Sequence, residues 1–223
     1  MLSFDHLVIA SKHPGKDQIN FTYDNSLKGV EGGDHSLWGT YNELCYFMND
    51  NYIEWLGLKD HKTAENSDNP LIQQFKQTFD QGEFGPFQFA LRTSDMDEYI
   101  NHFNLHNIPY YGPFPGERKR PDGTMLKWRM LFPVSANEPD ILLPFLIEWS
   151  GKNLPSSFQE INTPRFQKLI LRVKDIKTTE KLYETIYKLK PTKDRTAYSL
   201  ENGQLVLEAG PSSLKAHYTT FSI

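Results

Sequence analysis

The chain has 223 residues, a net charge of −4 and a single cysteine, Cys45. That length supports a core in one large or two small domains, the mild acidity argues against a nucleic-acid partner, and one thiol leaves no internal disulfide, as suits a reducing cytosol. No signal-like start is present and the longest apolar run, 141–147, is too short for a bilayer and broken by Pro144, so a cytoplasmic protein with no membrane partner is expected.

The first strand is expected at 4–10 (FDHLVIA), with His6 among apolar neighbours. A helix after it is weakly marked, by Ile19, Phe21 and Tyr23 behind Pro14-Gly15. The stretch GVEGGDHSLWGTYNEL at 29–44 follows, carrying Gly29, Gly32, Gly33 and Gly39. Strands are expected at 35–48 and 51–58, with Asn49-Asp50 as a tight turn. In a strand running on from His35, that histidine faces away from Thr40 and Asn42 unless a bulge intervenes, and Gly39 is the natural bulge site. His35, Thr40 and Asn42 are then substrate-contact candidates at a cavity rim. The plain alternative for His35 is an exposed loop residue.

An amphipathic helix is expected at 71–79, then a strand at 87–93. Asp95 can cap a helix bearing Met96, Tyr99, Ile100 and Phe103. Strands at 116–120 and 124–132 join through Pro121-Asp122-Gly123, and 142–149 closes this second unit. Residues 151–164, rich in Ser, Pro and Asn, read as a linker. A third unit follows: a strand at 167–173, a helix capped by Asp175, and strands at 196–200, 204–209 and 217–223. The chain therefore reads as β-α-β-β-β three times, an α+β fold. Paired units would occupy 1–150, forming a curled mixed sheet around a cavity, and a third βαβββ-like unit 165–223.

Two repeated features carry chemistry. Ile53-Glu54-Trp55 closes the first unit and Ile147-Glu148-Trp149 the second, each with a glutamate among apolar residues. Aligning the first strands pairs His6 with Gln88 and Lys168. If the first two units pack as pseudo-symmetric halves, His6, Glu54, Gln88 and Glu148 converge. One imidazole nitrogen and three oxygens suit a divalent Zn, Ni, Mn or Fe(II) ion. The alternatives are core hydrogen bonding for His6 and Gln88, and ion pairs of the glutamates with Arg92 and Arg129. Lys168 and Glu208 offer no such set, so the third unit reads as structural. Arg118, Arg120, Lys127 and Arg129 flank the 121–123 turn. Either they favour an anionic small-molecule substrate, or they are a solvated hairpin.

These residues resemble the vicinal oxygen chelate superfamily of glyoxalase I, extradiol dioxygenases and fosfomycin or bleomycin resistance proteins, and within it the glyoxalase-like domain family. The matching stretches are 4–9, 32–35 with 39–42, 52–54, 118–123, 126–129 and 143–149. The resemblance implies paired units curled around a metal, with His6, Glu54, Gln88 and Glu148 as ligands. It also implies stabilisation of an enolate-like charge on a small, oxygen-rich substrate, with Glu54 or Glu148 as general base. Isomerase or lyase chemistry is favoured over dioxygenase chemistry, which needs two histidines and one carboxylate. The rival reading is a metal-free protein that binds or sequesters a small molecule, as bleomycin-resistance proteins do. A further expectation is a homodimer completed through the third unit.

Overall fold

The computed structural model describes residues 1–119, 123–135, 137–138, 140–155 and 157–223. Arg120, one of the expected substrate contacts, lies outside them together with Pro121 and Asp122. Among the described residues no helix is long and apolar enough to cross a membrane.

The first unit runs β1 (Ser3–Ala10), α1 (Pro14–Asp24), β2 (Val30–His35), β3 (Thr40–Phe47) and β4 (Asn51–Leu58). The faintly marked helix is real: Pro14 sits in its first turn, where a missing N–H is harmless. The expected 35–48 strand is instead a hairpin. His35 ends β2, Gly39 turns the chain at φ +65°, and Thr40 begins β3 directly opposite His35. Any Cβ at Gly39 would collide with the Asp60 carbonyl. Glycine therefore makes a turn here, and the turn brings His35 and Thr40 onto one face.

After α2 (His61–Glu65), helix α3 (Pro70–Gln81) buries Leu71, Ile72 and Phe75, as its apolar spacing predicts. Asn69 caps it, and Gly82 ends it in the left-handed conformation. The second unit runs β5 (Gly85–Arg92), α4 (Met96–Leu105), β6 (Tyr110–Lys119), β7 (Met125–Pro133) and β8 (Phe145–Trp149), with Asp95 accepting from the Glu98 amide as its cap.

The two units share one sheet of order β2-β3-β4-β1-β5-β8-β7-β6. The order is palindromic about the antiparallel β1–β5 pair, so the units are related by a pseudo-twofold between those strands. Strong curling brings the far ends together: Arg118 on β6 reaches Asn42 on β3, and the Trp128 ring on β7 lies 6.1 Å from that of His35 on β2.

The expected linker is partly structured. β9 (Ile161–Asn162) adds in parallel to β3, and the Asn162 side chain donates to the Lys28 and Tyr46 carbonyls. The third unit comprises β10 (Phe166–Val173), α5 (Ile176–Tyr187), β11 (Tyr198–Leu200), β12 (Gly203–Ala209) and β13 (Ser213–Tyr218), in a second sheet of order β11-β12-β10-β13. Its last strand departs from the expected pattern. β13 starts at Ser213, before the expected 217–223 segment, and lies antiparallel on the edge of β10 that β5 occupies on β1. Both pairings carry an irregularity at the same place, between Phe4 and His6 and between Phe166 and Lys168. The third unit thus covers its own pairing edge.

The two sheets share a core. Phe4 stacks on Phe166 at 4.1 Å. Asn202 bonds the backbone of β1 twice, donating to the Phe4 carbonyl and accepting from its amide.

Candidate active site

Parallel pairing of β1 with β4 places His6 opposite Tyr52 and Val8 opposite Glu54. Residues two apart on a strand share a face, so His6, Tyr52 and Glu54 all point into the concavity. His6 Nε2 lies 3.4 Å from Glu54 Oε2. Behind it, His6 Nδ1 lies 2.7 Å from Asp5 Oδ1, and the Tyr52 ring stacks on the imidazole at 4.4 Å. Asn42 donates from Nδ2 to Glu54 Oε1 at 2.5 Å, and Arg118 Nη1 donates to Asn42 Oδ1 at 3.2 Å. Gly32 permits this junction, because a Cβ there would strike both Asn42 Oδ1 and the Arg118 guanidinium. The fully buried Asp5 also accepts from Arg92 Nη1 and Trp149 Nε1. A line of alternating charge therefore crosses the sheet: Arg92, Asp5, His6, Glu54 and, through Asn42, Arg118.

Burial opposes charge on His6, but the Asp5 and Glu54 carboxylates outweigh it and push the imidazole up to about 9. Burial likewise opposes charge on Glu54, yet His6, then His35 and Asn42, outweigh it and hold the carboxyl down at about 2. His6 and Glu54 form a buried ion pair at neutral pH. His35 behaves differently. Burial is its largest influence and lowers it to about 4, leaving a neutral imidazole whose Nδ1 lies 3.1 Å from Thr40 Oγ1.

These side chains end an inner chamber of about 30 Å³, walled otherwise by Leu71 and Ile72 of α3 and by Trp128, Met130, Phe145, Ile147 and Trp149 of the second unit. That volume holds about one water. An outer cleft of about 580 Å³ lies beyond it, bounded by the glycine-rich strand 31–35, Leu37, Glu117 and Met125. His35, Trp38 and Arg118 line both and form the neck between them.

The structure brings together His6, Glu54, His35, Thr40, Asn42 and Arg118. It does not bring Gln88 or Glu148 to them. Gln88 points toward α3: its Nε2 donates to Gln74 Oε1 and the Leu143 carbonyl, and its Oε1 accepts from the Phe89 amide. Glu148 accepts from Arg129 through one oxygen and from the Met96 amide, at the start of α4, through the other. Arg129 is thereby committed to Glu148 and Asp97, as the ion-pair alternative expects.

The cause is register. On β4 the chamber face carries Tyr52 and Glu54, opposite His6 and Val8, whereas on β8 it carries Phe145, opposite Ala90, and Ile147. Glu148 lies between Ile147 and Trp149, which both line the chamber, so it points to the other face. The repeated tripeptide sits in opposite pleat phase on the two strands, which turns its second glutamate away from the chamber. His6, Glu54, Gln88 and Glu148 therefore do not form a four-ligand cage. Among the described residues no three His, Cys, Asp or Glu side chains are placed to share an ion, and the β8 side chains lining the chamber are Phe145, Ile147 and Trp149.

Asp5, Tyr52 and Trp149 complete the site and were not singled out by sequence pattern. The one signal for Asp5 is its position beside His6 in an otherwise apolar strand.

Residues 4–187 match the family described as the glyoxalase-like domain. No curated protein matches the sequence. The crystal structure of a hypothetical protein from Staphylococcus aureus superposes with a TM-score of 0.80 at 20% identity, covering 96% of this chain and 88% of that one. A variant Streptomyces coelicolor methylmalonyl-CoA epimerase in complex with 2-nitronate-propionyl-CoA gives a TM-score of 0.50 at 14% identity, covering 70% of this chain and 100% of that one. A methylmalonyl-CoA epimerase in complex with methylmalonyl-CoA and NH4+ gives 0.50 at 13%, covering 70% and 99%. At such identities these likenesses show the fold alone.

Proposed function

Because the chain belongs to the glyoxalase-like domain family, we propose that it binds a small, oxygen-bearing anion and moves a proton on it in isomerase- or lyase-type chemistry. Glu54 is the base. The observation that carries this reading is the ionised Glu54 at the closed end of a cleft, held by His6 and Asn42.

The chamber is too small for a whole substrate, so the body of the ligand rests in the outer cleft and its reacting end passes the His35–Trp38–Arg118 neck. When Glu54 removes a proton beside a carbonyl, its negative charge moves to the substrate oxygen. His6 and Arg118 are then positioned to meet that oxygen as their hold on the neutralised carboxyl weakens. A carboxyl held at about 2 in the free protein is a weak base. Expulsion of water and the charge of an arriving anion both raise it, which ties proton transfer to a filled site. The apolar second-unit wall faces the non-reacting side of the substrate.

Metal dependence is not part of this reading. His6 Nε2 and Glu54 are two donors from one unit, and the opposite unit supplies hydrocarbon and the Arg118 guanidinium, which has no lone pair to give, so a glyoxalase-I-like ion does not fit. The second reading is metal-free sequestration, which the aromatic wall of Trp128, Phe145 and Trp149 favours.

The test is deuterium exchange from solvent into the α-position of small keto and hydroxy acids, followed by NMR beside binding to the same compounds. The expected result is exchange in the parent, with Glu54→Gln retaining binding and losing exchange. Binding without exchange in the parent would replace catalysis by sequestration.

A further inference from the structure

A second cavity opens on the other side of the Asp5–Trp149 partition. It encloses about 490 Å³ and is lined by Ser3, Asp50, Arg92, Thr93, Ser94, Trp149, Gly151, Lys152, Asn153 and Glu201, among others. Trp149 lines both this rear cleft and the inner chamber.

Three features point to an oxyanion. Arg92 makes its two hydrogen bonds through one nitrogen: Nη1 donates to Asp5 Oδ2 at 3.3 Å and to the Asp50 carbonyl at 2.9 Å. Its Nε and Nη2 have no partner among the described residues, and the side chain is 27% exposed. A guanidinium has five N–H donors in a planar fork suited to carboxylate or phosphate oxygens. Second, Asn153 on the same lining has its Oδ1 shielded from solvent with no hydrogen-bond partner among the described residues. A ligand carrying a hydroxyl as well as charged oxygens would satisfy both. Third, the acidic Glu201 on the lining is already engaged by Ser3 and the N-terminal ammonium.

We propose that this rear cleft is a second binding site, for a small oxyanion of the hydrogenphosphate type, and that its occupant shares the Arg92 guanidinium with Asp5. Because Asp5 also holds His6, the site is mechanically connected to the chamber. An anion that draws Arg92 away loosens the outer support of the Asp5–His6 contact, and the coupling acts in both directions.

The experiment is a titration of the full chain with inorganic phosphate at constant ionic strength, followed by the NMR signals of the Trp149 indole N–H and the Arg92 Nε–H. The expected result is a saturable shift of both. Arg92→Lys keeps the charge and loses the fork, and should weaken binding about tenfold. Asp5→Asn removes the competing carboxylate and should tighten it. No saturable shift, a response centred on Arg118 instead, or an Arg92→Lys variant of unchanged affinity would overturn the proposal. This site shares no ligand-binding side chain with the neck around Arg118, so its failure leaves the reading of Glu54 untouched.

Discussion

Glu54 and Glu148 sit in the same tripeptide at the end of equivalent units, and they meet opposite fates. Glu54 faces the chamber and pairs with a buried histidine. Glu148 faces outward, joins the exposed end of Arg129 and holds the first amide of a helix. Opposite pleat phase on β4 and β8 separates them. Local sequence similarity identifies a repeat, but pairing register decides which face a side chain occupies.

The largest expected contrast is in stability. Glu54→Ala removes one of the two carboxylates that hold protonated His6 in the core and should cost ~3 kcal/mol. Glu148→Ala removes a half-exposed ion pair and one helix-start hydrogen bond, and should cost about 1 kcal/mol. Urea denaturation of both variants checks this. Equal losses would mean that Glu148 is as deeply committed as Glu54.

The same comparison can be broken by design. Ala90→His with Ile147→Glu places a nitrogen beside His6 and a carboxylate on the second-unit wall of the chamber. That double variant should gain stabilisation by Zn or Ni, about 2.7 kcal/mol at a hundredfold excess over the dissociation constant, while each single variant gains far less. Thermal unfolding with and without metal is the readout. An equal response in the parent would show that the apolar half is not what excludes the ion.

The third contrast is a pH dependence of stability. His6 is raised from 6.5 to about 9 in the folded protein. Its contribution is therefore complete below pH 6.5 and is lost as pH rises toward 9, at up to about 1.4 kcal/mol per pH unit. Glu54 is lowered from 4.5 to about 2, so its contribution is complete above 4.5 and lost as pH falls through 2. His35 is lowered from 6.5 to about 4, so it also weakens the fold as pH falls across that interval. Stability from these groups should peak near pH 6.5. His6→Gln should flatten the alkaline limb measured by urea denaturation, and Glu148→Gln should leave it in place.

Much of this architecture is legible in the sequence. Asp95 and Asp175 cap the helices they precede, because short side-chain oxygens next to apolar-periodic runs mark helix starts locally. His6 and Glu54 are read together from their places in the repeat, and Asn42 and Arg118 separately as substrate contacts; the structure joins the four. Long-range pairing is not legible. Nothing local to Ile147-Glu148-Trp149 records that Ala90 pairs with Phe145, so Glu148 reads as the partner of Glu54. Nothing local to Ser213–Tyr218 records that β13 crosses to the free edge of β10. Gly39 reads as a bulge within one strand, and only the close approach of Asp60 shows that it makes a turn instead. Asp5 is hidden for another reason: its partners Arg92 and Trp149 lie 87 and 144 residues away.

The most direct measurement is the metal content of protein purified without chelator or affinity metal, by mass spectrometry, in the parent and in His6→Ala and Glu148→Gln. A one-sided site predicts no divalent ion near one per chain in the parent, and no dependence on Glu148. One Ni, Zn, Mn or Fe per chain that falls in both variants would contradict it. That result would place Glu148 at the ion beside His6, and the register argument would fail with it.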